Sequence, residues 1–139
     1  MLFRSKGRMI DKPFSACAVF SPYMDNTYLH LDYSLRFNES PTVTSLHQEA
    51  YYYFLANGTI EGVSLDNQSN TFQIIGTYKA LGASNKWLKA GKEIGATHWQ
   101  LSADGKTLTY SNFGLLKNGE LMQIGEVTFT RLASGKTCK

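Results

Sequence analysis

The sequence has few of the features that reveal a function directly. No run of apolar residues approaches the length of about 20 that a membrane-spanning helix needs. The amino-terminal segment MLFRSKGRMIDK carries charge but no apolar core, so it does not resemble a signal peptide. We therefore expect no membrane span and a cytoplasmic location, with a secreted or periplasmic one only if a leader has been removed.

Charge of one sign is also scarce. Charged residues make up 18% of the chain, the net charge is only +3, and the lysines and arginines are scattered along the sequence. A nucleic-acid-binding domain needs a basic face, because contacts with phosphates supply much of its affinity. We therefore expect no nucleic acid partner.

Motifs for disulfide, redox and phosphate chemistry are missing. The two cysteines, Cys17 and Cys138, have neither C-x-x-C spacing nor the number needed for a disulfide framework, and we expect them to be unpaired. No cluster of glycines forms G-x-x-x-x-G-K-S/T or G-x-G-x-x-G, the loops that bind phosphates. Because these motifs are missing, we predict no cofactor and no catalytic residue.

Aromatic residues and glycines are abundant instead. The 139 residues include 8 Tyr, 8 Phe and 12 Gly, which fits one compact β-rich domain spanning residues 1–139. Three dipeptides lie between β-like runs: Asn57-Gly58, Asp104-Gly105 and Asn118-Gly119. Each predicts a two-residue type I′ hairpin turn, and such a turn fixes which residues of the two strands stand opposite one another.

The second and third turns define a predicted inner face. Counting from Asp104-Gly105 places Trp99 opposite Tyr110 on this face. Counting from Asn118-Gly119 places Tyr110 opposite Val127, and the same row continues to Phe129 and Arg131. The inner face of the carboxy-terminal strands therefore carries several polar groups.

The tip of the last hairpin departs from this alternation. The predicted register puts four apolar residues on the outer face: Phe113, Leu115, Met122 and Ile124. Either a β-bulge at Gly114 or Gly125 reverses these side chains, or they form a dimer contact. We favour the bulge.

The segment LHQEAYYYF contributes to both faces of a predicted strand. In the register of the first turn, Tyr52 stands opposite Val63, so Glu61 joins Gln48 and Tyr52 on the inner face. The preceding strand, YLHLDYSLRF, adds Tyr33 to the same face.

The outer face of these two strands carries the one plausible set of metal ligands. The set consists of His30, Asp32, His47 and Glu49. The predicted register places His30 opposite Tyr53 and His47 opposite Arg36, which separates the two histidines. We therefore predict a solvated wall and no metal site.

The strands add up to an antiparallel barrel. Further strands are predicted at residues 3–10, 14–21 and 70–78, which gives eight or nine strands joined mainly by tight turns. Closure into an up-and-down barrel removes the exposed sheet edges. Residues 80–96 are predicted to form a long loop that carries Trp87. The loop could be a lid over the barrel or an anchor for an acidic partner. We favour a surface loop in which Trp87 folds onto the end of the barrel.

The order of these features resembles that of small bacterial lipocalin-like (calycin) barrels. The resemblance covers most of the chain, from GRMIDKPFSACAVFSPYMDNTYLHLDYSLRF through HQEAYYYFLANGTIEGVSLD to WQLSADGKTLTYSN and EVTFTRL. Arg131 could take the place of the last-strand arginine of that family, although the first strand lacks the family's Gly-x-Trp. The resemblance implies an all-β up-and-down barrel whose interior holds a hydrophobic or amphipathic small molecule.

Polar residues on an otherwise apolar inner face define the candidate ligand-binding site. These are Tyr33, Gln48, Tyr52, Glu61, Trp99, Tyr110 and Arg131. The leading hypothesis is non-catalytic binding in the barrel. The alternatives are an isomerase or cyclase that uses Glu61 or a tyrosine as acid or base, and an interaction protein that forms a homodimer through the apolar hairpin tip.

Overall fold

The computed structural model describes residues 2–9, 12–40 and 44–133. They form ten strands, one more than the upper expectation of nine. The strands are β1 (Leu2–Met9), β2 (Lys12–Tyr23), β3 (Tyr28–Phe37), β4 (Leu46–Phe54), β5 (Thr59–Asp66), β6 (Thr71–Lys79), β7 (Gly82–Lys89), β8 (Lys92–Leu101), β9 (Thr107–Leu115) and β10 (Leu121–Arg131).

Every strand pairs in antiparallel fashion with its neighbours along the chain, and β1 closes the barrel against β10. The predicted all-β, up-and-down barrel is therefore confirmed. Among the residues that the structure describes, no helix is long and apolar enough to span a membrane.

The additional strand lies where the sequence predicted a loop. Residues 80–96 form β7 and the beginning of β8, joined by a tight turn in which Ala90 and Gly91 have φ angles of 50° and 78°. These are the positive φ angles of a type I′ turn, which an Ala-Gly dipeptide does not signal as strongly as Asn-Gly. The lid and surface-loop interpretations are both wrong, because Trp87 is only 8% exposed and packs inside the barrel.

The alternation predicted for several strands is confirmed. On β2, the buried residues are Phe14, Ala16, Ala18 and Phe20. On β3, Leu31, Tyr33 and Leu35 are buried. The register of the β8–β9 hairpin is also as predicted, with Trp99 opposite Tyr110. These strands present one apolar face to the interior, as burial of half of each strand requires.

The register of the β4–β5 hairpin is wrong by one residue. Tyr53, and not Phe54, stands opposite Glu61. The amide of Gly58 (φ 87°) donates to the carbonyl of Leu55, and the amide of Leu55 donates to the carbonyl of Thr59. The loop therefore has three residues, and such a turn shifts the register by one position and exchanges the faces of the following strand.

The consequence of this shift is that β5 is turned over relative to the prediction. Ile60 and Ser64 are buried in the interior, whereas Val63 and Leu65 are 40% and 49% exposed. Glu61 lies on the outer wall, in an exposed position. Its predicted place on the inner face is therefore wrong.

The β9–β10 hairpin contains the expected bulge. Its turn also has three residues, with Gly119 (φ 86°) donating to the carbonyl of Leu116. The register then shifts back between Gln123 and Gly125, so that Tyr110 stands opposite Val127 as predicted.

The bulge changes the position of only part of the apolar tip. Ile124 lies in the bulge. Its side chain lies 3.5 Å from where a Cβ atom of residue 114 would be, and it lines the cleft at one end of the barrel. Phe113 stays on the outer wall, where its ring packs against His98. The apolar dimer face proposed from the sequence is therefore divided between two sides of the sheet.

Cys17 lies on β2 and is disulfide-bonded, so the expectation of unpaired cysteines is wrong for this residue. Cys138 lies outside the described residues.

Gly76 offers a test of the interior packing. A Cβ atom added here would clash with the Asn85 side-chain oxygen and with the backbone carbonyl of Ser84, which the strand cannot move away. We expect Gly76→Ala to lower the free energy of unfolding by more than about 2 kcal/mol. The matched control is Gly114→Ala, whose Cβ would make an ordinary contact of 3.5 Å with Ile124 and should cost less than about 1 kcal/mol. Equal losses in a denaturant titration would contradict the described packing.

Candidate functional site

The barrel interior opens to solvent at one end, which we call the open end. It carries the β5–β6 turn (residues 67–70), the β7–β8 turn and the tip of the β9–β10 hairpin. A cleft of about 320 Å³ lies there, between apolar side chains that include Phe72, Trp87 and Ile124. This volume is at the lower limit of small-molecule pockets.

A second, much smaller cavity lies next to the cleft inside the barrel and shares some of its lining residues. This inner cavity has a volume of about 10 Å³, which is room for about one water-sized group. Tyr33, Gln48 and Tyr110 line both cavities, and Trp99 lines the inner one. These three shared residues therefore separate the open cleft from the inner cavity.

Four aromatic residues form a connected cluster around this constriction. The rings of Trp99 and Tyr110 are edge to face with their centroids 5.3 Å apart, and those of Tyr52 and Trp99 are 5.7 Å apart. The ring of Tyr33 lies 6.3 Å from that of Tyr110. The two edge-to-face contacts of Trp99 and the tilted contact of Tyr33 with Tyr110 stabilise a fixed arrangement of the rings. The polar tips of the cluster are therefore held in place by packing.

Some of these polar tips have partners in the protein. The indole N–H of Trp87 donates to Thr97 Oγ1 over 3.0 Å, and the Tyr110 hydroxyl forms a side-chain hydrogen bond with the same threonine. Thr97 is buried on the inner face of β8. One threonine therefore satisfies two buried aromatic side chains.

Other buried polar atoms have no hydrogen-bond partner among the described residues. They are Tyr33 Oη, Tyr52 Oη, Trp99 Nε1, Ser64 Oγ and Asn85 Oδ1. A buried polar group without a partner costs about 1–3 kcal/mol, so native proteins contain few of them. A group of such atoms inside a barrel is a reason to expect a polar partner there.

The tyrosine hydroxyls are protonated at physiological pH. Burial raises the pKa of Tyr33 and that of Tyr52 far above the ordinary value, because the interior disfavours the phenolate. The pKa of Tyr110 is raised well above its ordinary value for the same reason, and the nearby Tyr52 and Tyr33 raise it further. Each hydroxyl can donate a hydrogen bond.

The structure brings together five of the seven residues predicted for the site. Tyr33, Gln48, Tyr52, Trp99 and Tyr110 all belong to the interior. Glu61 lies on the outer wall, for the reason given above. Arg131 continues the inner row of β10, but it is exposed beside the β8–β9 turn, at the end of the barrel opposite the open end. Neither charged residue contacts the cavities, and no ion pair joins them within residues 12–40 and 44–133.

Sequence reasoning missed several residues of the interior. The sequence places Trp87 in a loop, and the register error places Ser64 on the outer face. Thr97 could have been found, because it lies two positions before Trp99 on β8 and therefore shares its face. The Ala90-Gly91 dipeptide was the signal that would have revealed β7 and Trp87. Asn85 could then have been placed inside as well.

The outer wall of β3 and β4 carries the histidines and carboxylates considered as metal ligands. The register between β3 and β4 differs by two residues from the predicted one, because His30 stands opposite Tyr51 and not Tyr53. The predicted cross-strand partners are therefore wrong, but the residues lie on the predicted outer face. Nε2 of His30 lies 3.1 Å from Glu49, and Nε2 of His47 lies 3.0 Å from Asp32. Each histidine thus has one carboxylate partner, and no group of three potential metal ligands occurs among the residues that the structure describes.

Comparison with known proteins gives a fold and no function. No family model matches the chain, and no curated protein matches it. Sixteen chains of solved structures match. One is the crystal structure of Rv2717c from M. tuberculosis, with a TM-score of 0.71 and 17% sequence identity, over 95% of this chain and 91% of that one. The similarity supports the β-barrel architecture over nearly the whole chain.

Stability measurements can distinguish the unpartnered hydroxyls from the partnered one. In ligand-free protein, we expect Tyr33→Phe and Tyr52→Phe to leave the free energy of unfolding unchanged or to raise it by up to about 1 kcal/mol, because no protein hydrogen bond is lost. Tyr110→Phe is the matched control and should lower it by about 1 kcal/mol, since Thr97 loses a partner. A loss in Tyr33→Phe as large as that in Tyr110→Phe would show that the Tyr33 hydroxyl is bonded within the protein.

Alkaline titration tests the burial of the cluster. Because the pKa values of Tyr33, Tyr52 and Tyr110 are raised in the folded state, their contribution to stability is fully present below the unfolded-state pKa of about 10 and is lost as the pH rises above it. We expect these three phenols to ionise only together with loss of the circular dichroism of the fold, after the exposed tyrosines. Ionisation of all 8 tyrosines near pH 10 in a protein that keeps its native spectrum would contradict this arrangement.

Proposed function

We propose that this protein binds a hydrophobic or amphipathic small molecule in the barrel interior, without catalysing a reaction. The observation that carries the proposal is the pair of buried polar atoms Tyr33 Oη and Trp99 Nε1, which have no hydrogen-bond partner among the described residues and belong to side chains that line the inner cavity next to the open cleft. An apolar pocket with a few fixed polar groups is the usual form of a small-molecule site.

The shape of the interior is consistent with this function. The aromatic and aliphatic lining of the cleft supplies apolar area, and each Å² of it removed from water contributes about 25 cal/mol. The resemblance of the sequence to lipocalin-like barrels implies the same use of the interior. The fold similarity to Rv2717c supports the barrel on which the proposal rests.

The enzyme hypothesis is weakened by the position of Glu61. An isomerase or cyclase needs a group that exchanges a proton near neutral pH. Glu61 lies outside the barrel, and the raised pKa values of the buried tyrosines leave almost no phenolate near neutral pH to accept a proton. Binding therefore remains the better-supported use of this cavity.

The location of the protein is a separate question. We proposed the cytoplasm from the sequence, but a disulfide at Cys17 favours an oxidising compartment, because protein disulfides are rare in the cytosol. We therefore place the exported alternative ahead of the cytoplasmic one.

Titration with N-phenyl-1-naphthylamine, an uncharged apolar dye that fluoresces in apolar surroundings, tests the binding function. We expect saturable binding that Asn112→Phe weakens by at least about tenfold, because Asn112 lines the cleft and a larger ring would fill it. Ser111→Phe is the control, since Ser111 is the preceding residue of β9 and its hydroxyl faces Glu126 on the outer wall.

The two variants change neighbouring residues of β9, and we expect Asn112→Phe to weaken dye binding and Ser111→Phe to leave it unchanged. Equal loss of binding in both would place the dye elsewhere than in the cleft. Absence of saturable binding to the unmodified protein, together with no small molecule retained in native mass spectrometry, would refute the proposed function.

A further inference from the structure

We propose that the buried end of the ligand is an uncharged hydrogen-bond acceptor, such as a ketone or aldehyde oxygen, held between the hydroxyl of Tyr33 and the indole N–H of Trp99. This inference rests on the proposed function and names the chemical class that the interior selects.

The donors determine the type of polar group. Trp99 Nε1 can only donate a hydrogen bond, and it has no acceptor among the described residues. Tyr33 Oη is likewise buried without a partner among the described residues, and Tyr33 lines the same inner cavity as Trp99. A ligand that placed another donor here would leave the indole N–H unsatisfied. An acceptor satisfies both groups.

The size of the inner cavity limits this group to a small one. The cavity of about 10 Å³ has room for about one atom of the size of an oxygen. A carbonyl oxygen fits this space, while the carbon atoms to which it is attached lie in the wider cleft beyond Tyr33 and Tyr110. The constriction thus favours a ligand that ends in a single exposed oxygen.

The charges around the interior disfavour an ionic end. Among the described residues that line the two cavities, Asp66 is the one charged residue. Its carboxylate stabilises the β5–β6 turn by accepting hydrogen bonds from the amide of Gln68 and from the backbone and side chain of Asn70. A buried carboxylate on the ligand would have no cation to compensate for its lost hydration, and Asp66 would repel it.

A cationic end fits less well than a neutral acceptor. Aromatic rings attract cations through their faces, and the cluster offers four rings. However, the inner cavity is too small for an ammonium group with its substituents, and the Trp99 N–H cannot accept a hydrogen bond from an ammonium group. The geometry therefore selects against both signs of charge.

A matched series of naphthalenes tests the inference. The probes are 2-acetylnaphthalene, the isosteric hydrocarbon 2-isopropenylnaphthalene, 2-naphthoate and 1-(2-naphthyl)ethylammonium. Dissociation constants are measured by quenching of tryptophan fluorescence and confirmed by calorimetry. We expect the ketone to bind about tenfold more tightly than the hydrocarbon, which corresponds to one or two net hydrogen bonds, and both ions to bind more weakly than the ketone.

Variants locate the hydrogen bond. Tyr33→Phe should reduce the preference for the ketone over the hydrocarbon by about fivefold while leaving the affinity for the hydrocarbon unchanged. Tyr78→Phe is the control, because the Tyr78 hydroxyl donates to the carbonyl of Leu55 at the opposite end of the barrel over 2.6 Å. It should leave the preference intact.

The outcomes separate this inference from the proposed function. Equal affinities for the ketone and the hydrocarbon, or tighter binding of either ion, would refute the inference and leave the binding function standing. An unchanged preference in Tyr33→Phe would also refute it. If none of the four probes binds in the cleft, the inference fails, and the dye titration and native mass spectrometry decide the proposed function separately.

Discussion

The structure depends on the number of residues in each hairpin turn. Side chains alternate between the two faces of a strand, so one residue more or less in a turn exchanges the interior and exterior sets of the next strand. Gly58 and Gly119 adopt positive φ angles within three-residue loops, and Ala90 and Gly91 do so within a two-residue loop. These local backbone conformations decide which side chains line the barrel.

The β4–β5 hairpin shows how strongly this choice affects function. With a two-residue turn, Glu61 would lie inside the barrel and could act as a general base. With the observed three-residue turn, Ile60 and Ser64 occupy the interior and Glu61 faces solvent. One additional residue in a surface turn therefore replaces an ionisable carboxyl group in the cavity by uncharged side chains. The buried tyrosine hydroxyls and the Trp99 indole are donors held in place by aromatic packing.

Much of the fold could be predicted from the sequence, because alternation in β2, β3, β8 and β9 is clear and their burial follows it. The register of the β8–β9 hairpin was correct for the same reason, since Leu101 and Leu108 have to share a face. Asn57-Gly58 was read as a two-residue turn, but an Asn-Gly pair also fits a three-residue loop that ends in a left-handed glycine. The sequence does not distinguish these loops, and the error moved Glu61 into the predicted site. β7 was missed because Trp87 and the lysines around it lack the polar-apolar pattern of the other strands.

The central claim is that Tyr33 and Trp99 present unpaired donors to the inner cavity for an acceptor that enters through the open end. A crystal structure of the protein soaked with 2-acetylnaphthalene tests it most directly. The account predicts the ketone oxygen within hydrogen-bond distance of both Tyr33 Oη and Trp99 Nε1, with the naphthalene ring in the cleft. A ring that lies elsewhere, or a Tyr33 hydroxyl and Trp99 indole bonded to protein groups with side chains filling the space between them, would contradict it.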